Sequence, residues 1–391
     1  VHPLVDHEVI GNHDIYAFSL QLINVSGLLN IRNKSFNAKE VSAYCLSLDG
    51  IFMIMPAILE NHSLKDRNTF HVDAGARYYC ECSSVSELRE LISDPLFRKG
   101  PRLILGEGSN ILFTDDFNGL VVRPAILGRE IMADDRSTVQ VMVGAGENWD
   151  DFVAWATTWH LGGIENLSLI PGSVGSSPIQ NIGAYGVEVE QSIVRVFAID
   201  TLTGGKLTFE HEACRFGYRD SIFKGSWKQK CIITSVVFRL AKKPELNTSY
   251  QEVADKLAGR ARQDIETLRQ VIIEIRESKL PDPASLGNAG SFFKNPLVTE
   301  EKYGSLILEH PDMPSYPASS GYRKIPAAWL IEQCGWKGKR MGDAGTHDRQ
   351  PLVLVNHGHA TGRQILDLAK MIEEDIIGKF GIKLEREVNI I

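Results

Sequence analysis

Ile170-Pro171-Gly172-Ser173-Val174-Gly175-Ser176-Ser177-Pro178-Ile179-Gln180-Asn181-Ile182-Gly183-Ala184-Tyr185-Gly186 is the stretch whose reading decides the fold. Its four glycines and three serines can turn successive backbone N–H groups toward one concavity. Such nests bind anions, and pyrophosphate is the usual large one. A long surface loop with flexible turns is the competing reading. Ile170, Ile179 and Ile182 argue against it, because they would tie the segment into a core. The motifs that are missing narrow the choice further. The chain has no Gly-x-x-x-x-Gly-Lys-Ser/Thr, and both Gly106-x-Gly108 and Gly144-x-Gly146 lack the third glycine of a Rossmann fingerprint. A dinucleotide held here is therefore held in another fold. Gly106-Glu107-Gly108-Ser109-Asn110, following a short apolar run, is either a second cradle for the same ligand or a sharp bend.

A second stretch, Gly287-Asn288-Ala289-Gly290-Ser291-Phe292-Phe293-Lys294-Asn295, sets one hydroxyl between upstream glycines and downstream aromatics. Glycines permit close approach or positive φ, and the phenylalanines would anchor the downstream chain in a core. Ser291 is a candidate proton donor. No Gly-x-Ser-x-Gly elbow surrounds it, so a hydrolase nucleophile is the poorer reading. A tight turn into a strand is the bland one.

The 391 residues are enough for two or three domains, and 43% hydrophobic with 23% charged residues is ordinary for a soluble protein. A formal charge of −7 without basic blocks gives no pull toward nucleic acid or anionic membrane. None of the six cysteines forms a Cys-x-x-Cys pair, which argues against zinc ribbons and thioredoxin-like chemistry and for reduced thiols. His347 lacks a partner at metal-ligand spacing, so no metal site is expected. The apolar run near residues 51–59 is cut by Pro56 and is too short to span a bilayer. Asp6 and Glu8 stand where a signal peptide would carry positive charge. The expectation is a cytoplasmic monomer without membrane insertion.

Along the chain, strands are expected at 103–105, 120–123, 139–143 and 232–240, with a hairpin at 193–199 and 206–209 around Thr203-Gly204-Gly205. Residues 148–160 read as a helix capped by Asn148. Residues 250–280 read as mostly helical up to Pro281, and 326–334 as a shorter helix. A strand is expected at 352–355. Ile365, Leu368, Ala369, Ile372 and Ile376 share one face of a last helix, and 383–391 reads as a closing strand. The class is α+β.

Charged candidates remain ambiguous on their own. In Cys214-Arg215-Phe216-Gly217-Tyr218-Arg219-Asp220-Ser221, Arg219 is either a bidentate carboxylate clamp or the partner of Asp220. Glu387 lies in an apolar terminal stretch, where an exposed strand glutamate is the common case. Lys279 either snorkels or meets phosphate.

Taken together, the ordered motifs closely resemble the UDP-N-acetylenolpyruvoylglucosamine reductase (UDP-N-acetylmuramate dehydrogenase) family of bacterial flavoenzymes. They are residues 106–110, 170–186, 214–223, Lys279-Leu280-Pro281-Asp282-Pro283, 288–296, Ala328-Trp329-Leu330-Ile331 and 384–388. The likeness runs from about residue 61 to the last. It implies an FAD-binding fold of the vanillyl-alcohol-oxidase/p-cresol-methylhydroxylase type over 61–278, to which 384–391 returns. It also implies a smaller C-terminal α+β substrate domain over 279–383. Residues 1–60 are expected to be an N-terminal extension without a family counterpart.

The same resemblance implies bound FAD and NADPH as co-substrate, with a UDP-linked enolpyruvyl amino sugar reduced in peptidoglycan precursor synthesis. Its three catalytic positions fall on Arg219, Ser291 and Glu387. Cofactor contacts fall on Gly106, Gly108, Ser109, Asn110, Gly172, Ser173, Gly175, Ser176, Ser177, Asn181, Gly183, Tyr185 and Gly186. Substrate contacts fall on Tyr218, Tyr250, Arg276, Lys279, Asn295 and Gln350. Tyr250 points to the longer (type I) subtype, in which a tyrosine-bearing loop covers the UDP sugar. An oxidase of the same flavin fold would need the cradle but not Arg219, Ser291 and Glu387 together. A non-catalytic nucleotide-sugar binder would need none of the three.

Overall fold

The computed structural model describes residues 44–46, 52–54, 56–318 and 320–391. Most of the 1–60 segment, expected to be an extension, lies outside the described residues; within it Tyr44–Leu46 and Phe52–Ile54 pair as an antiparallel hairpin.

Two sheets carry the N-terminal part, expected to be the cofactor half. In the first, the order is Ile58–Ser63, Gly75–Cys82, Phe117–Pro124 and Arg102–Ile104. The Phe117–Pro124 strand runs parallel to both of its neighbours. Parallel strands need a covered crossover, and the helices Val85–Ser93 and Pro95–Lys99 supply it. They bury Leu88, Leu91, Ile92 and Phe97 against Cys80, Cys82 and Val122. The second sheet is antiparallel, ordered Lys206–Glu210, Ile193–Asp200, Cys231–Ala241, Thr138–Gly144, Arg129–Asp134. The expected hairpin turns where Asp200 accepts the N–H groups of Leu202 and Thr203, both at 2.8 Å, and Gly204 takes φ +70°. The helix Trp149–Thr158 covers this sheet. Asn148 caps it by accepting from Asp151 N–H at 3.1 Å, and Trp149, Phe152, Val153 and Ala156 are fully buried beneath it.

The 250–280 segment is two helices, Gln251–Ala258 and Ile265–Lys279. Asp264 starts the second by accepting from Thr267 N–H at 2.8 Å. In the C-terminal part, Gly287–Ser291, Val353–Asn356, Ala344–Thr346 and Arg340–Met341 form a sheet. The helix Gly362–Phe380 opens with a Thr361–Gln364 capping box and buries the apolar face read from the sequence. Its core is continuous with Phe70, Leu112 and Phe113 of the cofactor half, so the C-terminal part has no separate apolar centre.

One expected element differs. Of the 383–391 strand, only Asn389–Ile390 forms a ladder, parallel to Ile111–Leu112. Upstream of it the chain directs its hydrogen bonds to another partner: Glu387 N–H donates to Phe292 O at 2.8 Å, and Lys294 N–H to Glu385 O at 2.8 Å. The tail changes neighbour part-way, which prevents one continuous strand and stitches the Ser291 segment to the cofactor half.

Candidate active site

The glycine-rich stretch and the 106–110 turn face each other. They line a cavity of about 130 Å³ with Gly106, Gly108, Ser109, Asn110, Gly172, Ser173, Ser176 and Ser177. It adjoins a larger one of about 480 Å³, which shares Gly106, Ser173 and Ser176 and adds Gly175. Close approach explains the glycines. A Cβ on Gly106 would stand 2.8 Å from Ser173 Oγ, and Gly172 (φ +133°) and Gly108 (φ +66°) occupy the left-handed half of backbone space. An elongated anion with an apolar end fits this pair of spaces. Of the expected cofactor contacts, Asn181, Gly183, Tyr185 and Gly186 line neither cavity. They shape the neighbouring corner around Arg219 and Tyr250.

Arg219 sits in a tight turn closed by Gly217 N–H to Asp220 O at 3.0 Å and Asp220 N–H to Gly217 O at 3.1 Å. Its φ is +55°, a conformation rare for a residue with a Cβ. Ser221 Oγ ties the turn to Ile179 O at 2.6 Å. The guanidinium donates to Gly183 O and, at 3.3 Å, to Asn181 O. It meets two carboxylates, Glu387 at 3.4 Å and Glu188 at 3.5 Å, so the Asp220 pairing open in the sequence is not the one formed. Asn181 holds Glu188 through a 3.0 Å bond.

Glu387 is not an exposed strand glutamate: only 16% of its side chain is accessible, against 73% for Glu385. Burial pushes its carboxyl above the ordinary glutamate range, while Arg219, Lys224 and Lys294 pull it back. Ser291 is half-buried, and its hydroxyl forms no hydrogen bond among the described residues. The 2.8 Å bond from Glu387 N–H to Phe292 O places it one residue from Glu387's own pairing. A cation and a carboxyl raised by burial thus meet from distant parts of the chain, and the bond to Phe292 O lays the strand that ends at Ser291 alongside the tail. That combination can stabilise a developing carboxylate-linked negative charge and deliver a proton.

Of the expected substrate contacts, Tyr250, Lys279 and Arg276 gather around Tyr185, whereas Tyr218, Asn295 and Gln350 have other neighbours. Tyr250 meets Tyr185 edge-on at 5.3 Å, and Lys279 Nζ stands 5.8 Å from the Tyr250 ring while pairing with Glu252. Arg276 Nε is buried and has no partner among the described residues, and burial lowers the guanidinium's pKa. Tyr218 is faced by Arg219 at 5.3 Å and by Lys324 at 4.1 Å. Asn295 Oδ1 is engaged as an acceptor for Ala327 N–H at 2.9 Å, capping the helix Ala327–Gln333 and leaving its NH2. Gln350 lies in a turn beside Arg349, which donates to Ser278 O at 2.9 Å, next to Lys279.

Residues 76–205 match the FAD binding domain family, and residues 282–391 match the family described as UDP-N-acetylenolpyruvoylglucosamine reductase, C-terminal domain. The UDP-N-acetylenolpyruvoylglucosamine reductase of Chromobacterium violaceum is 47% identical over 329 residues, covering 83% of this chain and 96% of its own. The chain belongs to the UDP-N-acetylenolpyruvoylglucosamine reductase family. The reductase of Flavobacterium johnsoniae is 45% identical over 85% of this chain and 99% of its own. The crystal structure of the Thermus caldophilus reductase superposes with a TM-score of 0.60 at 23% identity, covering 86% of this chain and 98% of that one, and so shares the fold. As a family member the protein is an FAD-containing oxidoreductase, with the FAD-binding fold and the C-terminal α+β domain that the motifs implied. The residues present fit FAD: the glycine-lined cavity would take the pyrophosphate, and the larger one the ring system.

Several residues of the larger cavity carry no signal in the sequence. Lys224 and Trp227 line it, as do Asn389, Ile390 and Ile391, all outside the 214–223 and 384–388 motifs. The tail has no composition that marks a ligand; only its return to Ile111–Leu112 brings it there. Lys224 lies just outside the motif around Arg219, and Glu188 just beyond the glycine-rich stretch. No cluster of metal-ligating side chains is found among the described residues. None of the described helices is long and apolar enough to cross a membrane.

Proposed function

We propose that the protein reduces UDP-N-acetylglucosamine enolpyruvate to UDP-N-acetylmuramate with NADPH as reductant, a step in supplying peptidoglycan precursor. The observation that carries this reading is the Arg219–Glu387 pair, 3.4 Å apart, joined through the tail to the Ser291 strand, with the adjacent Val388 lining the larger cavity. When bound, FAD supplies the two-electron link between NADPH and the enolpyruvyl double bond, whose terminal carbon receives hydride.

The chain's own residues answer the charge that then develops on the enolpyruvyl carboxylate. Arg219 stabilises it through a planar fork already held in place by Gly183 O and Asn181 O. Glu387, whose carboxyl burial raises above the ordinary glutamate range, stands against Arg219 and, when protonated, would donate to the same charge. Ser291 delivers a proton to the adjacent carbon and is reprotonated from solvent, which balances the addition of two hydrogens across the bond. Arg276 and Lys279 lie where a diphosphate would meet them, and Arg276's unpartnered Nε supports that placement. Tyr250 against Tyr185 supports the longer subtype, with Tyr250 covering the sugar nucleotide. The test is turnover with NADPH and the UDP-enolpyruvyl sugar. Mass spectrometry of the product should show a gain of two hydrogens; NADPH consumption without such a product refutes the reading.

A further inference from the structure

Lys224 lines the larger cavity, yet no step above uses it. Its ammonium donates to Arg219 O at 3.1 Å. That carbonyl belongs to a residue whose φ of +55° is unfavourable for any side chain with a Cβ. Such a conformation persists only where surrounding contacts over-determine it. The turn bonds of Gly217 and Asp220 fix the loop's ends, and Lys224 fixes its middle. The same ammonium also acts on Glu387 electrostatically, favouring its charged form.

From this geometry we infer that Lys224 is the positioning residue of the Arg219–Glu387 pair. It holds Arg219's main chain in the left-handed conformation and sets the charge balance felt by Glu387. The inference deepens the functional reading above and rests on it for its kinetic arm only.

The charged surroundings are defined. Glu387 is faced by Arg219 from the 217–220 turn, Lys224 from the loop after it, Lys294 from beyond the Gly287–Ser291 strand, and Glu385 from its own segment. Tyr218 is also within electrostatic reach of Glu387. Lys294 is already committed to Glu385 as an ion pair, and Arg219 is shared with Glu188. Among the described residues Lys224 is the remaining cation, with Asp220, Glu385 and Glu387 as its acidic neighbours. Burial and Lys294 both disfavour its charge, so its hold on Glu387 is sensitive to surroundings.

The test replaces Lys224 with Met, which keeps the stem and removes donor and charge. In flavin-free protein, infrared titration tracks the Glu387 carboxyl, assigned by the band lost in Glu387→Gln. Loss of the lysine is expected to move that titration to higher pH. In holoenzyme, the oxidation of pre-reduced protein by the UDP-enolpyruvyl sugar should slow at least about tenfold more than reduction by NADPH does. The descending limb of its pH profile should shift upward. Lys224→Arg, which keeps a charge and a donor, should bring both readouts most of the way back. If Lys224→Met does not accumulate, Lys224→Gln removes the charge and is read by the same titration. An unmoved carboxyl titration, or equal slowing of both half-reactions with an unshifted profile, overturns the inference. If wild-type protein reduces no sugar nucleotide, the functional reading falls, and the flavin-free titration alone still decides the role of Lys224.

Discussion

Replacing Arg219 with lysine separates charge from geometry. At 3.4 Å, the charged form of Glu387 would attract the guanidinium by about 5 kcal/mol at an effective dielectric near 20. A lysine ammonium reaching the same region retains a large part of that attraction for Glu387, and it keeps the net charge. What it loses is the fork. The guanidinium is held by Gly183 O and by Asn181 O at 3.3 Å while its Nε faces Glu387. One ammonium cannot hold both carbonyls and also present a planar pair of donors to a substrate carboxylate. Loss of one preorganised donor to a developing charge costs about 2.7–4 kcal/mol, or roughly 10²–10³ in rate. The assay is stopped-flow oxidation of pre-reduced enzyme by the UDP-enolpyruvyl sugar, with reduction by NADPH as the internal control. The oxidative rate should fall by about that factor while flavin content stays near wild type. An oxidative rate within about threefold of wild type would remove Arg219 from the chemistry.

Other substitutions probe other parts of the site and the fold. Ser291→Ala should leave reduction by NADPH nearly intact and slow the oxidative half-reaction by about 10²–10⁴, the usual cost of a lost proton donor; equal loss in both would assign Ser291 a structural role instead. Gly106→Ala sets a methyl group against Ser173 and Ser176 in the lining of both cavities, so flavin affinity should drop at least about tenfold by titration of the apoprotein. Glu387, raised by burial, binds more protons folded than unfolded between the ordinary glutamate value and its folded one. Stability therefore declines as pH rises through that window, and denaturant melts should show Glu387→Gln gaining on wild type across it. Leu368→Ala, in the buried face of the last helix, should cost about 2–5 kcal/mol of unfolding free energy and leave the flavin spectrum of the folded fraction unchanged.

Local features are legible in the sequence because their causes are local. Glycine at 106, 108 and 172 reports a backbone that must come close or turn left-handed, and each does. The amphipathic stripe of the last helix and the Asn148 cap arise from spacing and a single side-chain bond. The meeting of Arg219 with Glu387, and of the tail with the strand that ends at Ser291, is legible only through the family resemblance, since nothing local links a turn, a tail and a strand end. The tail misleads for the opposite reason. Its alternation suggests one strand with Glu387 exposed, whereas switching partners from 292–294 to 110–112 turns that side chain inward. The family resemblance implies a substrate contact at Asn295, but half of its amide is engaged by a helix start that no spacing rule would reveal. Lys224 gives no signal because a lysine so close to a polar motif looks solvated until the fold closes over it.

An anaerobic absorbance titration of the purified protein tests the central claim most directly. The expected result is a yellow protein whose flavin band is bleached by one equivalent of NADPH and restored by one equivalent of UDP-N-acetylglucosamine enolpyruvate. A colourless preparation that cannot be reconstituted with FAD, or a bleached flavin that recovers in air but not with the sugar nucleotide, would contradict it.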